Sequence, residues 1–270
     1  MQQLSGFLNA IKPLIDAARA RVRNGIADLS ADASQAILLD PVSLEEMLFD
    51  GVRDKLEAIV TPALALEINV ARLRGDLSGA TAEERYADYL DLLQTPDYAA
   101  ALMAEYPALF HLAGERLATW VEVSLEWVGR LVADWPVIVD TFFGGKSPGA
   151  LSGLRFPQRS TKRGGRAVIL ISFASGGRLA YKPRSLAVEL HFHDLLAWLN
   201  QSGFEPHFKP VGLLDRATHG WMAWVDPAGC DTTAEIERFY RRQGAYLALF
   251  YALEATDLSR ALGAPLSAGG

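Results

Sequence analysis

Gly176-Gly177-Arg178-Leu179-Ala180-Tyr181-Lys182-Pro183-Arg184-Ser185-Leu186 is the stretch that decides how this chain folds. Upstream lies an apolar run, Ala167 to Phe173, rich in β-branched residues. A Gly-Gly turn separates it from a second short run, Leu179 to Tyr181. Two β-prone runs about a glycine turn predict a hairpin. Lys182 ends the second strand, because Pro183 has no N–H to continue the ladder. Beyond Ser185, Leu186, Leu190, Leu195, Leu196 and Leu199 fall at helical spacing, and Glu189 lies in the first turns of that helix.

A strand-end lysine followed by a helix-borne glutamate is the layout of a nucleotide-phosphate clamp in kinase-type lobes. The ammonium offsets phosphate charge and the carboxylate fixes its position. Arg184 either assists with phosphate or pins the strand through a salt bridge. The longer string Gly165-Arg166-Ala167-Val168, Tyr181-Lys182-Pro183-Arg184-Ser185-Leu186, Glu189 and Leu195-Leu196-Ala197-Trp198-Leu199-Asn200 resembles the dehydratase domain of type II lanthipeptide synthetases, the LanM family. Leu66 to Leu73, Glu105-Tyr106-Pro107, Phe142-Phe143-Gly144 and Phe239 to Gly244 agree with the same pattern, so the resemblance runs from about residue 40 to Leu258.

The resemblance implies ATP- and Mg²⁺-dependent phosphorylation of Ser and Thr in a precursor peptide, followed by elimination of phosphate to dehydroamino acids. The implied partner is that precursor, a leader joined to a core bearing Ser, Thr and Cys. Zinc belongs to a separate cyclase domain and is not expected here. The implied fold is α+β: a helical region over 1–145, then over 146–270 a kinase-like small lobe with an antiparallel sheet and one packed helix, leading into a truncated large lobe. Lys182, Glu189 and Arg184 are the expected cofactor-binding residues, and no metal ligands are expected.

Several positions depart from the family pattern. Its Asp-x-His pair falls on Ser160 and Lys162, which supply neither a carboxylate nor an imidazole. Asp257 matches the approach to the catalytic loop and is a vestigial catalytic residue. The His and Asn expected two and five residues later are Ser259 and Leu262, and the later metal-binding aspartate has no counterpart. Mg²⁺ would then have few oxygen donors. The expectation is a dehydratase domain that is incomplete and inactive as this chain alone, with Leu247, Phe250, Tyr251 and Leu253 partly exposed on its last helix. The alternative is a non-catalytic module that binds precursor peptide or nucleotide, and a third reading is a stand-alone kinase-like enzyme with unusual metal ligands.

Composition sets the outer limits. With 270 residues, 50% hydrophobic and 21% charged, the chain can bury a sizeable core. A net charge of −6 argues against a general nucleic-acid binder. A single cysteine, Cys230, excludes an intrachain disulfide and a thiolate zinc cluster. Met1-Gln2-Gln3-Leu4 does not begin a signal peptide, and no apolar run reaches membrane-spanning length, so a cytoplasmic protein is expected.

The rest of the first half reads as helices. Leu4 to Ala27 predicts a solvated amphipathic arm interrupted by Pro13. Ser43 with Glu46 predicts a capping box, and the helix it opens should end near Val60, before Thr61-Pro62. Leu64 to Leu73 is a further run, with Asn69, Arg72 and Arg74 solvated or paired with Glu67 or Asp76. Thr81 with Glu84 predicts a second capping box, and Thr95-Pro96-Asp97 another helix start. Leu109 to Leu131 carries Trp120 and Trp127 as core residues, and Trp135-Pro136 begins a short helix toward Phe143. Gly144-Gly145-Lys146-Ser147 ends like a P-loop, but the upstream glycine is missing, Thr141 standing four residues before Gly145, and Val132 to Phe143 reads as helix where a strand should precede, so a linker is the better reading. The basic run Arg155, Arg159, Lys162, Arg163 and Arg166 is either a solvated loop or a contact for phosphate or an acidic leader. Trp221 to Val225 predicts a strand with Trp221 and Trp224 as packing residues. His191 and His193 diverge on a helix and do not chelate.

Overall fold

A computed structural model describes residues 2–31, 40–157, 164–225 and 228–256. Ser160, Lys162 and Asp257 lie outside the described residues. The chain divides into two compact units, Met1–Pro136 with Gly149–Ala167 and Val137–Pro148 with Val168–Gly270.

The first unit is helical. A 3₁₀ segment, Gln2–Ile11, leads into α1 (Lys12–Ala31), α2 (Pro41–Arg74), α3 (Ala82–Leu92), α4 (Pro96–Glu105) and α5 (Pro107–Phe143), whose last turns belong to the second unit; β1 (Leu151–Arg155) follows. Leu44, Leu48, Val52, Leu56, Val60 and Leu64 repeat every fourth residue along α2 and are all buried. That stripe explains a correction. Pro62 does not end the helix but sits inside it. An internal proline costs about 3 kcal/mol, while burying each of Val60 and Leu64 on either side returns about 1.5–3 kcal/mol. α5 likewise runs through Pro136, between buried Trp135 and Ile138, so the expected separate helix toward Phe143 does not exist.

Two further expectations are revised. The N-terminal segment is not a solvated arm: Phe7, Ile11, Ile15, Ala18, Val22 and Ile26 are buried, and α1 packs against α2. The α2 cap is Asp40, whose side chain accepts from Ser43 N–H at 2.9 Å, in place of a Ser43–Glu46 box. The Thr81–Glu84 capping box forms as read. Glu67 is paired by neither arginine; it is buried and accepts from Tyr106 Oη at 2.6 Å. Asn69 donates to Ala65 O, one turn back. Trp120 and Trp127 are core residues.

In the second unit β2 (Ile169–Phe173) and β3 (Arg178–Lys182) form the expected hairpin, with Gly176 at φ 85° in its turn. α6 (Ala187–Gln201) follows, then β4 (Leu213–Asp215), β5 (Gly220–Ala223) and α7 (Thr233–Ala252). The strands run antiparallel in the order β2-β3-β5-β4, with Ile169 opposite Tyr181, Tyr181 opposite Trp221 and Leu213 opposite Met222. Side chains alternate along a strand. One face therefore carries Ile169, Ile171, Phe173, Leu179, Tyr181 and Trp221, all buried. The other carries half-buried Leu170, Ser172, Met222 and Lys182. The fold is α+β, as the sequence implies.

Candidate functional site

Lys182 is the last residue of β3 and stands opposite Gly220 of β5. Gly220 is small for a reason: a Cβ there would lie 2.5 Å from Leu186 and 2.9 Å from the Leu214 carbonyl. The missing side chain lets Leu186, fully buried, drop onto the sheet and start α6 beside the lysine. Asp215, ending β4, holds that start. It accepts from Leu186 N–H at 2.7 Å and from the Ser185 hydroxyl at 3.2 Å, while Ser185 Oγ accepts from Ala187 N–H at 3.1 Å. The junction between strand and helix is thus fixed by hydrogen bonds on both sides.

Glu189, in the first turn of α6, points back to the strand end. Lys182 Nζ lies 3.6 Å from Glu189 Oε1. Arg184 grips the same carboxylate with both guanidinium nitrogens, donating from Nη1 to Oε2 at 2.9 Å and from Nη2 to Oε1. Arg184 Nη1 also donates to the Ser185 carbonyl at 2.9 Å. The three residues named from the sequence come together, and of the two cations Arg184 makes the closer contact with Glu189.

The electrostatics follow from burial and pairing. Burial pushes the Lys182 ammonium below the usual lysine range; Glu189 opposes that shift and Arg184 adds to it. Burial works against the charged form of Glu189 too, but the hydrogen bonds from Arg184, helped by Lys182, hold its carboxyl below the ordinary value. The Glu189 contact raises Arg184 further. Lys182 and Arg184 share one carboxylate, Glu189, while the nearby Asp215 is engaged by the Ser185 hydroxyl and the Leu186 N–H.

The residues around Lys182 fit a phosphate group. The ammonium has three donors and its carboxylate partner is already engaged by Arg184. The residues do not fit a metal in the same way: among the described residues no three His, Cys, Asp or Glu side chains come together. His191 and His193 accordingly form no such group. Asp215 is the residue sequence reasoning missed. An acidic residue closing a short strand carries no periodic signal, and its role appears only once β4 and the start of α6 are brought together.

The second unit is thus an antiparallel sheet with a strand-end lysine faced by a glutamate on the following helix. Residues 106–261, more than half the chain, match the family described as domain of unknown function DUF4135, and the chain belongs to that family. It is also 24% identical over 223 residues to the lacticin 481/lactococcin biosynthesis protein LcnDR2 of Lactococcus lactis subsp. lactis, covering 79% of this chain and 24% of that protein. The chain thus spans about a quarter of the length of that relative. Both findings bear out the LanM-family resemblance read from the sequence. No helix among the described residues is long and apolar enough to cross a membrane.

Proposed function

We propose that the chain serves lanthipeptide biosynthesis as part of a LanM-type dehydratase domain, and that its second unit is the kinase-like small lobe that holds the ATP phosphates. The observation that carries this reading is Lys182 Nζ at 3.6 Å from Glu189, at the end of a strand and the start of a helix. The name of the relative supports the pathway. When bound, ATP supplies the phosphoryl group that a Ser or Thr hydroxyl of the precursor peptide accepts.

The chain's own residues do the positioning. Lys182 offsets phosphate charge with its remaining donors. Glu189 keeps that ammonium at the strand end, and Arg184 keeps Glu189 in place. Ser185 and Asp215 fix the turn between them. Among the described residues no group of three His, Cys, Asp or Glu side chains is placed to hold Mg²⁺. Asp257 remains the candidate to accept the hydroxyl proton. Cytoplasmic location is part of the same reading.

The two-pronged Arg184–Glu189 contact favours a second reading, in which the cluster ties helix to sheet in a non-catalytic module that binds nucleotide or precursor peptide. One experiment separates them. The chain is incubated with ATP, Mg²⁺ and a Ser/Thr/Cys-bearing precursor peptide, and the peptide is weighed. A gain of phosphate or a loss of water, abolished in Lys182→Ala, supports a dehydratase. Nucleotide binding without either change, lost in Lys182→Ala, supports a dehydratase domain that is inactive as this chain alone; nucleotide or peptide binding that survives Lys182→Ala supports the module. Binding of neither nucleotide nor peptide overturns both readings.

A further inference from the structure

A cavity of about 700 Å³ opens in the second unit away from the lysine cluster, and none of Lys182, Arg184 or Glu189 lines it. One wall is the α6–β4 connection at Glu205, Pro206 and His207; the other is the face of α7 that presents Arg238, Arg241, Arg242 and Ala245. These four α7 positions are spaced three, four and seven apart, which puts them on one side of the helix.

The walls are built, not loose. Asn200 clamps the connection by donating to the Phe208 carbonyl and accepting from Phe208 N–H, both at 2.8 Å. Phe208 is buried and meets Tyr246 of α7 with ring centroids 4.8 Å apart, joining the two walls. Ala245 leaves room where a larger side chain would fill the space.

Charge in the cavity is unbalanced. Glu205 lies 3.4 Å from His207, and Glu235 is spent on the α7 cap, with Arg238 at 4.0 Å. Among the described residues no carboxylate pairs with Arg241 or Arg242. Guanidinium forks pair bidentately with carboxylate and with phosphate oxygens. The volume exceeds that of a lone oxyanion, and Pro206, Ala245 and the arginine stems add apolar lining.

We propose that this cavity binds an acidic peptide segment, its Asp or Glu carboxylates held by Arg241 and Arg242. The site is distinct from the nucleotide reading of Lys182 and does not rest on it.

Fluorescence anisotropy of the whole chain tests it with two labelled probes, a short peptide alternating Glu with Leu and Ala, and the same peptide with Gln for Glu. The Glu probe binds at least about tenfold tighter than the Gln probe, and Arg241→Gln with Arg242→Gln removes about that factor. Ala245→Trp, which fills the cavity without touching its charge, weakens the Glu probe as well, while Lys182→Ala leaves it unchanged. Unaltered melting curves show that each variant is folded. Equal binding of the two probes, no binding of the Glu probe, or full binding by the arginine variant overturns the proposal. Displacement of the probe by millimolar inorganic phosphate or ATP also overturns it, because the cavity would then be a phosphate site.

Discussion

Each unit contains a glutamate gripped by an arginine through both nitrogens, with a second cation close by. In the helical unit Arg19 donates to Glu45 at 2.5 and 3.1 Å, and Arg23 lies at 3.5 Å. In the mixed unit Arg184 grips Glu189 and Lys182 lies at 3.6 Å. Arg19 approaches side-on through Nε and Nη2 and Arg184 end-on through Nη1 and Nη2, but the larger difference is in exposure. The Glu45 side chain is 1% exposed, while that of Glu189 is 22% exposed. Arg19 also sits over the Phe49 ring at 5.0 Å, closing Glu45 in. A two-pronged Arg–Glu pair therefore serves two ends: sealed, it ties α1 to α2; half-open, it leaves cationic donors within reach of a ligand.

Breaking the sealed pair should cost most. Glu45→Ala leaves Arg19 beside an apolar gap and lowers stability by about 3 kcal/mol in urea unfolding. The Glu189→Ala counterpart, partly solvated, should cost about 1 kcal/mol or less. Equal costs would erase the distinction between the two sites. Gly220→Val comes next. Its Cβ meets Leu186 at 2.5 Å and a backbone oxygen at 2.9 Å, so the α6 start must shift, at about 2 kcal/mol. Nucleotide affinity, followed by calorimetry, should fall with it.

Lys182→Ala should weaken ATP binding about tenfold, the loss of one charge-assisted contact, with unfolding changed by under about 1 kcal/mol. Loss of stability without loss of affinity would make this lysine a counterpart of Arg23. The smallest effect is in pH. Glu189 has a folded value held below its ordinary 4.5, so its contribution is present above that pH and lost as pH falls through the depressed value. Glu189→Gln should flatten that acid limb of the stability profile. At the alkaline end, Lys182 loses its proton below the ordinary 10.5, so ATP affinity should fall before an unperturbed lysine titrates.

How much the sequence told differs between the units as well. In the second, a glycine turn, a strand-ending proline and helical leucine spacing are local signals, and they located the hairpin, α6 and the Lys182–Glu189 pair. The capping box at Thr81 was local too, and it formed. In the first unit, local rules misled where burial overrode them. Pro62 and Pro136 read as helix ends, yet flanking core residues carry α2 and α5 through. The N-terminal segment read as solvated because the surface that buries Val22 and Ile26 is supplied by residues far along the chain. Asp215 and the arginine cavity were illegible for the same reason, since each joins segments separated by a loop or a strand. Leu247 and Tyr251 of α7 and Leu253 just after it are exposed and Phe250 is half-buried, as expected for that helix, and none of its residues is buried.

The most direct test of the nucleotide reading is acylation of the chain by an ATP acyl phosphate, with the modified lysines mapped by peptide mass. A lysine beside the bound phosphates attacks the mixed anhydride and keeps the acyl group, and burial makes Lys182 a better nucleophile near neutral pH by lowering its pKa. The account predicts preferential labelling of Lys182, suppressed by excess ATP and not by excess inorganic sulfate. Labelling spread evenly over the lysines, or labelling of Lys182 that ATP does not suppress, would contradict it.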